Sequence, residues 1–138
     1  MDGKKVFMLC LVLIIAVASL SVIGAADEKR TFSGIDLTIP DGYKLDTIQV
    51  NGINKDPDAS SSAWYVNSEG DRISINVFPD YGKGLDDDIE PEDVEKTIAG
   101  KKGFLSQWKH GIEFKYLDND HIIFIKAPDE ATVEKVIG

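Results

Sequence analysis

Cysteine is nearly absent from this chain of 138 residues, since Cys10 is the only one. A disulfide needs two cysteines, and cysteine-ligated zinc and iron–sulfur clusters need several. Cys10 lies inside an apolar run and follows Leu9, whereas a lipoprotein cysteine follows small residues at the end of such a run. The chain after residue 26 therefore excludes disulfides, cysteine-bound metals and thiol nucleophiles, and lipidation of Cys10 is not expected.

Positive charge is also scarce, with 15 lysines and arginines against 24 aspartates and glutamates, which gives a formal net charge of −9. Nucleic acids are bound by basic side chains that neutralise phosphates. Anionic lipid headgroups likewise attract basic segments and repel acidic ones. We therefore expect an acidic domain with no nucleic-acid partner, which meets a membrane only through the N-terminal helix if that helix stays uncleaved.

Catalytic signatures are missing as well. The chain has no G-x-S-x-G elbow and no Walker or Rossmann glycine pattern. Its two histidines, His110 and His121, each lie beside a predicted turn, where an exposed side chain is the expected outcome. The segment Gly100–Gly103 (GKKG) is similar to the RNA-binding loop of KH domains, but the acidic charge favours a simple turn. The sequence predicts no enzyme activity and nominates no catalytic residue.

The N-terminal segment carries the clearest functional signal. Lys4 and Lys5 precede the apolar run Val6–Ile23, and the small residues Gly24–Ala26 follow it. A positive start, an apolar middle and a small-residue end are typical of a secretory signal peptide. The run is also near the lower length limit of a membrane span, and its two lysines would keep that end in the cytoplasm. Residues 1–26 are therefore predicted to be a signal peptide or an N-terminal membrane anchor. Either reading predicts an extracytoplasmic location, secreted or tethered to the cytoplasmic membrane with the domain outside.

The rest of the chain is predicted to be a short polar linker, residues 27–31, and one α+β domain, residues 32–138. Apolar residues alternate with polar ones in several short segments, which is typical of half-buried strands. We expect about six mostly antiparallel strands, one internal helix over Ile89–Ile98 and one C-terminal helix from about Asp129. Pro91 supports the internal helix, because proline suits the first helical turn. With the apolar N-terminal run, these elements give a mostly antiparallel sheet with two helices, preceded by a hydrophobic helix.

Three stretches resemble a group of small exported proteins of unknown function from methanogenic archaea. These stretches are Ser33–Tyr43 (SGIDLTIPDGY), Thr97–Leu105 (TIAGKKGFL) and Ala127–Ile137 (APDEATVEKVI). More distantly, the order of strands and closing helix is similar to that of PsbP-like domains. The resemblance implies an exterior, archaeal cell-envelope protein and a sheet with helices against it, and it implies no activity and no site residues.

An aromatic pair suggests a binding face. Trp64 and Tyr65 are adjacent in a predicted strand, so their side chains point to opposite faces of the sheet. At least one of them should therefore point away from the core. We take the pair as the candidate binding face, because exposed aromatics can stack on sugars or peptides, although strand aromatics also fill cores.

A dense acidic segment suggests a calcium site, with the candidate ligands Asp86, Asp87, Asp88 and Glu90. Calcium takes six to eight oxygen ligands, which closely spaced carboxylates supply. The segment lacks EF-hand spacing, and acidic residues before a helix also stabilise its N-terminus. No other cofactor is expected.

Three functions remain open on these grounds. The favoured one is a non-enzymatic binding module for an unknown protein or cell-envelope component. The alternatives are a calcium-responsive envelope protein and a small hydrolase that gathers His110 or His121 with carboxylates in a pocket.

Overall fold

Strands dominate residues 26–48 and 52–138, which are the part of the chain that the computed structural model describes. The apolar run Val6–Ile23 lies outside these residues, and so does the predicted hydrophobic N-terminal helix. Within the described residues, no helix is both long enough and apolar enough to cross a bilayer.

The described residues contain nine strands and one α-helix. In chain order they are β1 (Glu28–Phe32), β2 (Ile35–Ile39), β3 (Lys44–Ile48), β4 (Ser61–Val66), β5 (Arg72–Pro79), β6 (Val94–Ile98), β7 (Lys101–Trp108), β8 (Gly111–Asp118), β9 (His121–Ala127) and α1 (Glu130–Ile137). A single 3₁₀ turn, Asp86–Asp88, lies between β5 and β6. Strands β3 to β9 form one antiparallel sheet in the order β3-β4-β5-β9-β8-β7-β6, and β1 pairs with β2 as a separate hairpin.

The core lies on one face of the seven-stranded sheet, which we call the covered face. Alternate residues of β5 (Ile73, Ile75 and Val77) are fully buried there, as period-two alternation predicts. The β1–β2 hairpin contributes Phe32 and the alternating residues of β2 to the same hydrophobic cluster, and α1 contributes Val133 and Val136. The hairpin and the helix therefore cover this face. The side chains between the buried ones point to the opposite face, which we call the open face.

The predicted α+β arrangement of about six strands and two helices is wrong in its internal helix and in its strand count. The segment expected to be helical, Ile89–Ile98, contains strand β6, which pairs with β7. Val94 and Ile98 led to the helix prediction because they are four residues apart. A spacing of four places side chains on one side of a helix and also on one side of a strand, so this pattern cannot separate the two. Pairing with β7 decides the outcome in favour of the strand.

One further element differs from the sequence-based expectation, and one agrees with it. Residues 28–31 fall in the expected polar linker, yet they belong to strand β1. Their side chains are mostly exposed, and Phe32 is the residue of β1 that is buried, so β1 lacks the apolar alternation of a sheet strand. The C-terminal helix α1 is present, and the Asp129 carboxylate caps it by accepting a hydrogen bond from Thr132 N at 2.8 Å.

The tight turn between β6 and β7 contains a strained alanine. Ala99 and Gly100 have φ values of +50° and +79°, as in a type I′ turn, and alanine rarely adopts such a backbone. We expect Ala99→Asn to raise the free energy of unfolding by about 0.5–1 kcal/mol, because asparagine tolerates this conformation. Urea unfolding measures the change. Ala99→Val is the matched control and should destabilise the protein; equal stability of both variants would contradict the expectation.

Candidate functional site

The open face of the sheet carries both tryptophans of the chain. Trp64 on β4 and Trp108 at the end of β7 expose 36% and 52% of their surface. Exposed tryptophans in one region of a small protein mark a candidate binding surface, because burying such large side chains in a partner is favourable.

A cleft of about 560 Å³ lies between these two side chains, and we call it the Trp64–Trp108 cleft. A volume of this size is in the usual range for small-molecule sites. Besides the two tryptophans, its lining includes Arg72, Ser74, His110 and Lys126, together with the carboxylate residue Asp71.

Strand register places these side chains together although they are distant in sequence. Trp64 on β4 pairs with Ser74 on β5, and Ser74 pairs with Lys126 on β9, so the three stand in one row across the open face. Trp108 pairs with Gly111 on β8, which has no side chain to separate the indole from β9. A Cβ atom at Gly111 would collide with the carbonyl oxygen of Ala127, so only glycine fits there.

Each tryptophan contacts a cation. The ammonium group of Lys126 lies 3.5 Å from the centroid of the Trp108 ring, and the guanidinium carbon of Arg72 lies 5.7 Å from that of Trp64. Both distances are within the range of cation–π attraction. Each indole therefore favours a position of its cation at the cleft.

The candidate binding pair Trp64 and Tyr65 is split between the two faces. Trp64 lines the cleft, whereas Tyr65 is 3% exposed on the covered face. Burial raises the pKa of the Tyr65 hydroxyl, and nearby Arg30 opposes that rise. Among the described residues this hydroxyl has no hydrogen-bond partner. Tyr65 is thus a core residue, and Trp64 is the member of the pair that belongs to the candidate site.

The acidic segment forms a loop that packs on the open face rather than a set of converging carboxylates. Asp86, Asp87 and Asp88 make the 3₁₀ turn, and Asp86, Asp87 and Glu90 are exposed. The backbone carbonyl of Asp88 accepts a hydrogen bond of 2.6 Å from the ammonium group of Lys115. The described part of the chain contains no group of three or more histidine, aspartate or glutamate residues that could hold a metal ion. Calcium binding by this segment stays a prediction.

A buried ionic cluster fixes that loop to the sheet. The carboxylate of Asp93, whose side chain is 1% exposed, lies 3.2 Å from the Lys115 ammonium and accepts hydrogen bonds from Ser106 Oγ at 2.6 Å and Glu90 N at 2.9 Å. Glu113 lies 3.8 Å from the same ammonium. Burial acts to raise the pKa of Asp93, but the hydrogen bonds from Ser106, Glu90 and Lys115 together lower it below its ordinary value.

Sequence reasoning missed this cluster, although one signal was present. Glu113 and Lys115 lie between apolar residues in the run Ile112–Tyr116, and the structure buries all five. Charged residues that are buried on a strand need a partner close by. Asp93 supplies it from a loop 22 residues earlier in the chain, a distance that sequence spacing does not reveal.

The two histidines occupy different environments. His110 is exposed and lines the Trp64–Trp108 cleft. The expectation of an exposed His121 is wrong, because this residue is 5% exposed. Its Nδ1 and Nε2 atoms each lie 2.7 Å from a carbonyl oxygen, of Asn119 and Pro57 respectively. His121 therefore joins the 52–60 loop to the turn between β8 and β9.

A hydrolytic triad would need hydrogen bonds that link a nucleophile, a histidine and a carboxylate. Ser74, His110 and Asp71 line one cleft, but within the described residues no hydrogen bond joins His110 to either of the others. The Asp71 carboxylate instead accepts from Asn67 Nδ2 at 3.2 Å. This arrangement gives the hydrolase alternative no support.

Comparison of the chain with protein-family models, with curated proteins and with solved structures found no match in any of the three. The site is therefore interpreted from its own geometry.

Proposed function

We propose that this protein is an extracytoplasmic binding module of the cell envelope and that its ligand occupies the Trp64–Trp108 cleft. The observation that carries the proposal is the pair of exposed indoles at one cleft on the open face. The apolar segment at the N-terminus supports the exterior location, because its plan is that of an export signal or anchor.

Rigidity of the site is a second argument. Trp64, Ser74 and Lys126 are on paired strands of a sheet whose other face is packed against the core. Because the backbone of these strands is already ordered, binding does not have to order a loop, so more of the contact energy appears as affinity. A prearranged platform of this kind suits recognition of a ligand and requires no chemical step.

The test uses the fact that both tryptophans of the chain line the cleft. Their fluorescence therefore reports on the cleft alone. The full-length protein, in detergent if the N-terminal segment is retained, is titrated with fractions of the cell envelope while acrylamide quenching of tryptophan is followed. We expect at least one fraction to shield the tryptophans from acrylamide and to be retained by the immobilised protein.

A matched pair of variants locates the binding. Trp64→Ala combined with Trp108→Ala should abolish retention of that fraction. Tyr81→Ala is the control, since Tyr81 is 79% exposed and lines a different cleft of about 510 Å³. Retention that survives the double substitution, or that is lost equally in Tyr81→Ala, would place the ligand elsewhere. Failure of every fraction to bind would overturn the proposed function itself.

A further inference from the structure

The hydrogen bonds of His121 require both of its ring nitrogens to be donors. The residue is 5% exposed, and Nδ1 and Nε2 each lie 2.7 Å from a carbonyl oxygen, of Asn119 and Pro57 respectively. A carbonyl oxygen only accepts hydrogen bonds, and a neutral imidazole has one N–H donor and one acceptor nitrogen. The two contacts are therefore both hydrogen bonds only when the ring carries two protons and is an imidazolium cation.

Neither a rotated ring nor a neutral one satisfies both carbonyl groups. Rotating the ring by half a turn about the Cβ–Cγ bond exchanges each nitrogen with a carbon atom. The oxygens of Asn119 and Pro57 would then face C–H groups, which are much weaker donors. In the neutral ring, one nitrogen lone pair would point at a carbonyl lone pair. The geometry around His121 therefore fits the protonated ring, whose two N–H groups are both hydrogen-bonded despite their burial.

His121 is also the group in this region whose charge changes near neutral pH. It pairs in register with Asp118 on β8 and with Pro79 at the end of β5. The other titratable groups on the strands, turns and loop around it are Asp118, Asp120, Asp80, Asp56, Asp58 and Lys55. The Asp118 carboxylate lies 3.3 Å from the Lys101 ammonium. Aspartate and lysine ordinarily keep their charges between about pH 5 and pH 9, whereas an imidazole changes its charge at about pH 6.5.

Loss of one proton would break the contact with Pro57 rather than the contact with Asn119. Asn119 belongs to the two-residue turn between β8 and β9, whose ends are fixed by the pairing of Asp118 with His121. Pro57 belongs to the 52–60 loop, which lies outside the strands and is freer to move. The neutral ring would therefore keep its proton on Nδ1. Its Nε2 lone pair would then repel the Pro57 carbonyl oxygen and displace the loop.

The position of the 52–60 loop affects two other parts of the protein. Asn54 O accepts a hydrogen bond of 2.6 Å from Ser33 N, in the turn of the β1–β2 hairpin. Pro57 packs against the same turn, since a Cβ atom at Gly34 would lie 3.2 Å from Pro57 Cβ. Ser60 lines the cleft of about 510 Å³ that also contains Tyr81. Displacement of the loop would therefore change both the contact with the hairpin and one wall of this cleft.

We propose that His121 is a pH-sensitive latch for the 52–60 loop. The protonated ring donates to the carbonyl oxygens of Asn119 and Pro57 and holds the loop against the turn between β8 and β9. When Nε2 releases its proton to solvent, this nitrogen becomes an acceptor and the hydrogen bond to Pro57 is lost. The loop is therefore held in acid and is released as the pH rises through the titration of His121.

The first experiment observes the ring directly in the full-length, isotope-labelled protein. Proton–nitrogen correlation spectra of the histidine rings are recorded between about pH 5 and pH 9, on either side of the ordinary imidazole titration. The variant His110→Gln identifies the His121 signals, because these are the two histidines of the chain. We expect both nitrogens of His121 to be protonated at the lower pH and Nδ1 alone to be protonated at the higher pH.

The second experiment measures amide hydrogen exchange of the 52–60 loop over the same pH range, corrected for the intrinsic pH dependence of exchange. We expect corrected exchange of the loop to be about tenfold faster or more at the higher pH, which is the effect of losing one charge-assisted hydrogen bond. Exchange in the central part of β8, Ile112–Tyr116, should not change and serves as the internal reference. His121→Gln, which does not titrate, should remove the pH dependence of the loop, whereas His110→Gln should retain it.

Four results would overturn the inference. A neutral His121 ring at about pH 5 would mean that the two carbonyl contacts do not select the imidazolium. A ring that stays doubly protonated at about pH 9 would exclude release of the loop near neutral pH. Corrected loop exchange that does not change with pH would show that the ring titrates without releasing the loop. Loss of the pH dependence in His110→Gln would assign the effect to the other histidine. The spectra of the unsubstituted protein test the latch even if His121→Gln does not fold.

Discussion

Replacing Lys115 by methionine is expected to lower the free energy of unfolding by about 3–5 kcal/mol, which is the usual cost of leaving a buried charge without its partner. Methionine preserves the length and apolar stem of the side chain but removes the ammonium group. The Asp93 carboxylate, 1% exposed, would then keep only its hydrogen bonds from Ser106 Oγ and Glu90 N. The Asp88 carbonyl would lose a donor at 2.6 Å, so the 85–93 loop should also detach from the sheet.

Urea unfolding measures this cost, and limited proteolysis of the 85–93 loop reports on the detachment. The matched control is Lys96→Met, because the Lys96 ammonium pairs with Glu130 at 2.7 Å on the surface, where such pairs contribute about 0–1 kcal/mol. Asp93→Asn combined with Lys115→Met should cost less than the sum of the single changes, since neither charge is then left alone. A Lys115→Met cost no larger than that of Lys96→Met would show that the cluster does not anchor the loop.

Acid provides an independent readout of the same cluster. The pKa of Asp93 is lowered in the folded protein, since its hydrogen bonds outweigh the effect of burial, which acts to raise it. A lowered carboxylate pKa contributes stability that is fully present above the ordinary aspartate pKa of about 4 and is lost as pH falls through the lowered value. The wild-type protein should therefore lose stability in this acidic range more steeply than Asp93→Asn, whose side chain does not titrate. Parallel pH profiles would contradict the assignment.

Much of the sheet could be predicted from the sequence because burial of one face leaves a period-two pattern. Ile73, Ile75 and Val77 show that pattern without interruption, and the structure buries all three. The C-terminal helix could also be predicted from the sequence, because Asp129 is a strong N-cap residue and Val133 and Val136 share one side of the helix. In both cases the local pattern and the tertiary packing favour the same structure.

The elements that sequence reasoning missed are those in which the local pattern is absent or ambiguous. Strand β1 exposes most of its side chains, so residues 28–31 carry no alternation that would distinguish them from a linker. Strand β6 has its apolar residues, Val94 and Ile98, at a spacing that a helix shares. Only pairing with β7 specifies β6, and such pairing depends on residues that follow a turn.

Only part of the candidate site could be predicted from the sequence, for a related reason. Trp64 could be nominated, since two adjacent aromatics in a strand must point to opposite faces. Its association with Trp108 and Lys126 depends on the strand order β4-β5-β9-β8-β7, in which β9 inserts between β5 and β8. Strand order of this kind arises from long-range pairing, so it cannot be predicted from the local sequence.

Replacing Gly103 by alanine is expected to lower the free energy of unfolding by about 3 kcal/mol, the upper part of the usual range for overpacking a core. Gly103 pairs with Tyr116 on the neighbouring strand. A Cβ atom at position 103 would collide with the carbonyl oxygen of Lys115 and would lie 2.8 Å from Phe114 Cζ and 2.9 Å from Tyr116 Cβ. The first of these is backbone and cannot move without disturbing the pairing of β7 with β8.

The Phe114 and Tyr116 rings stack with their centroids 5.4 Å apart. A side chain at position 103 would also force these two rings to move. Near-ultraviolet circular dichroism of the folded variant should therefore change, and urea unfolding gives the free energy. Gly100→Ala is the matched control in the adjacent turn, where a Cβ atom would meet nothing within 4 Å and only the backbone φ of +79° is unfavourable. This control should cost about 1 kcal/mol. Equal costs for the two variants would mean that strands β7 and β8 can adjust to a side chain at position 103. The close approach of the two backbones would then not be the reason for glycine at this position.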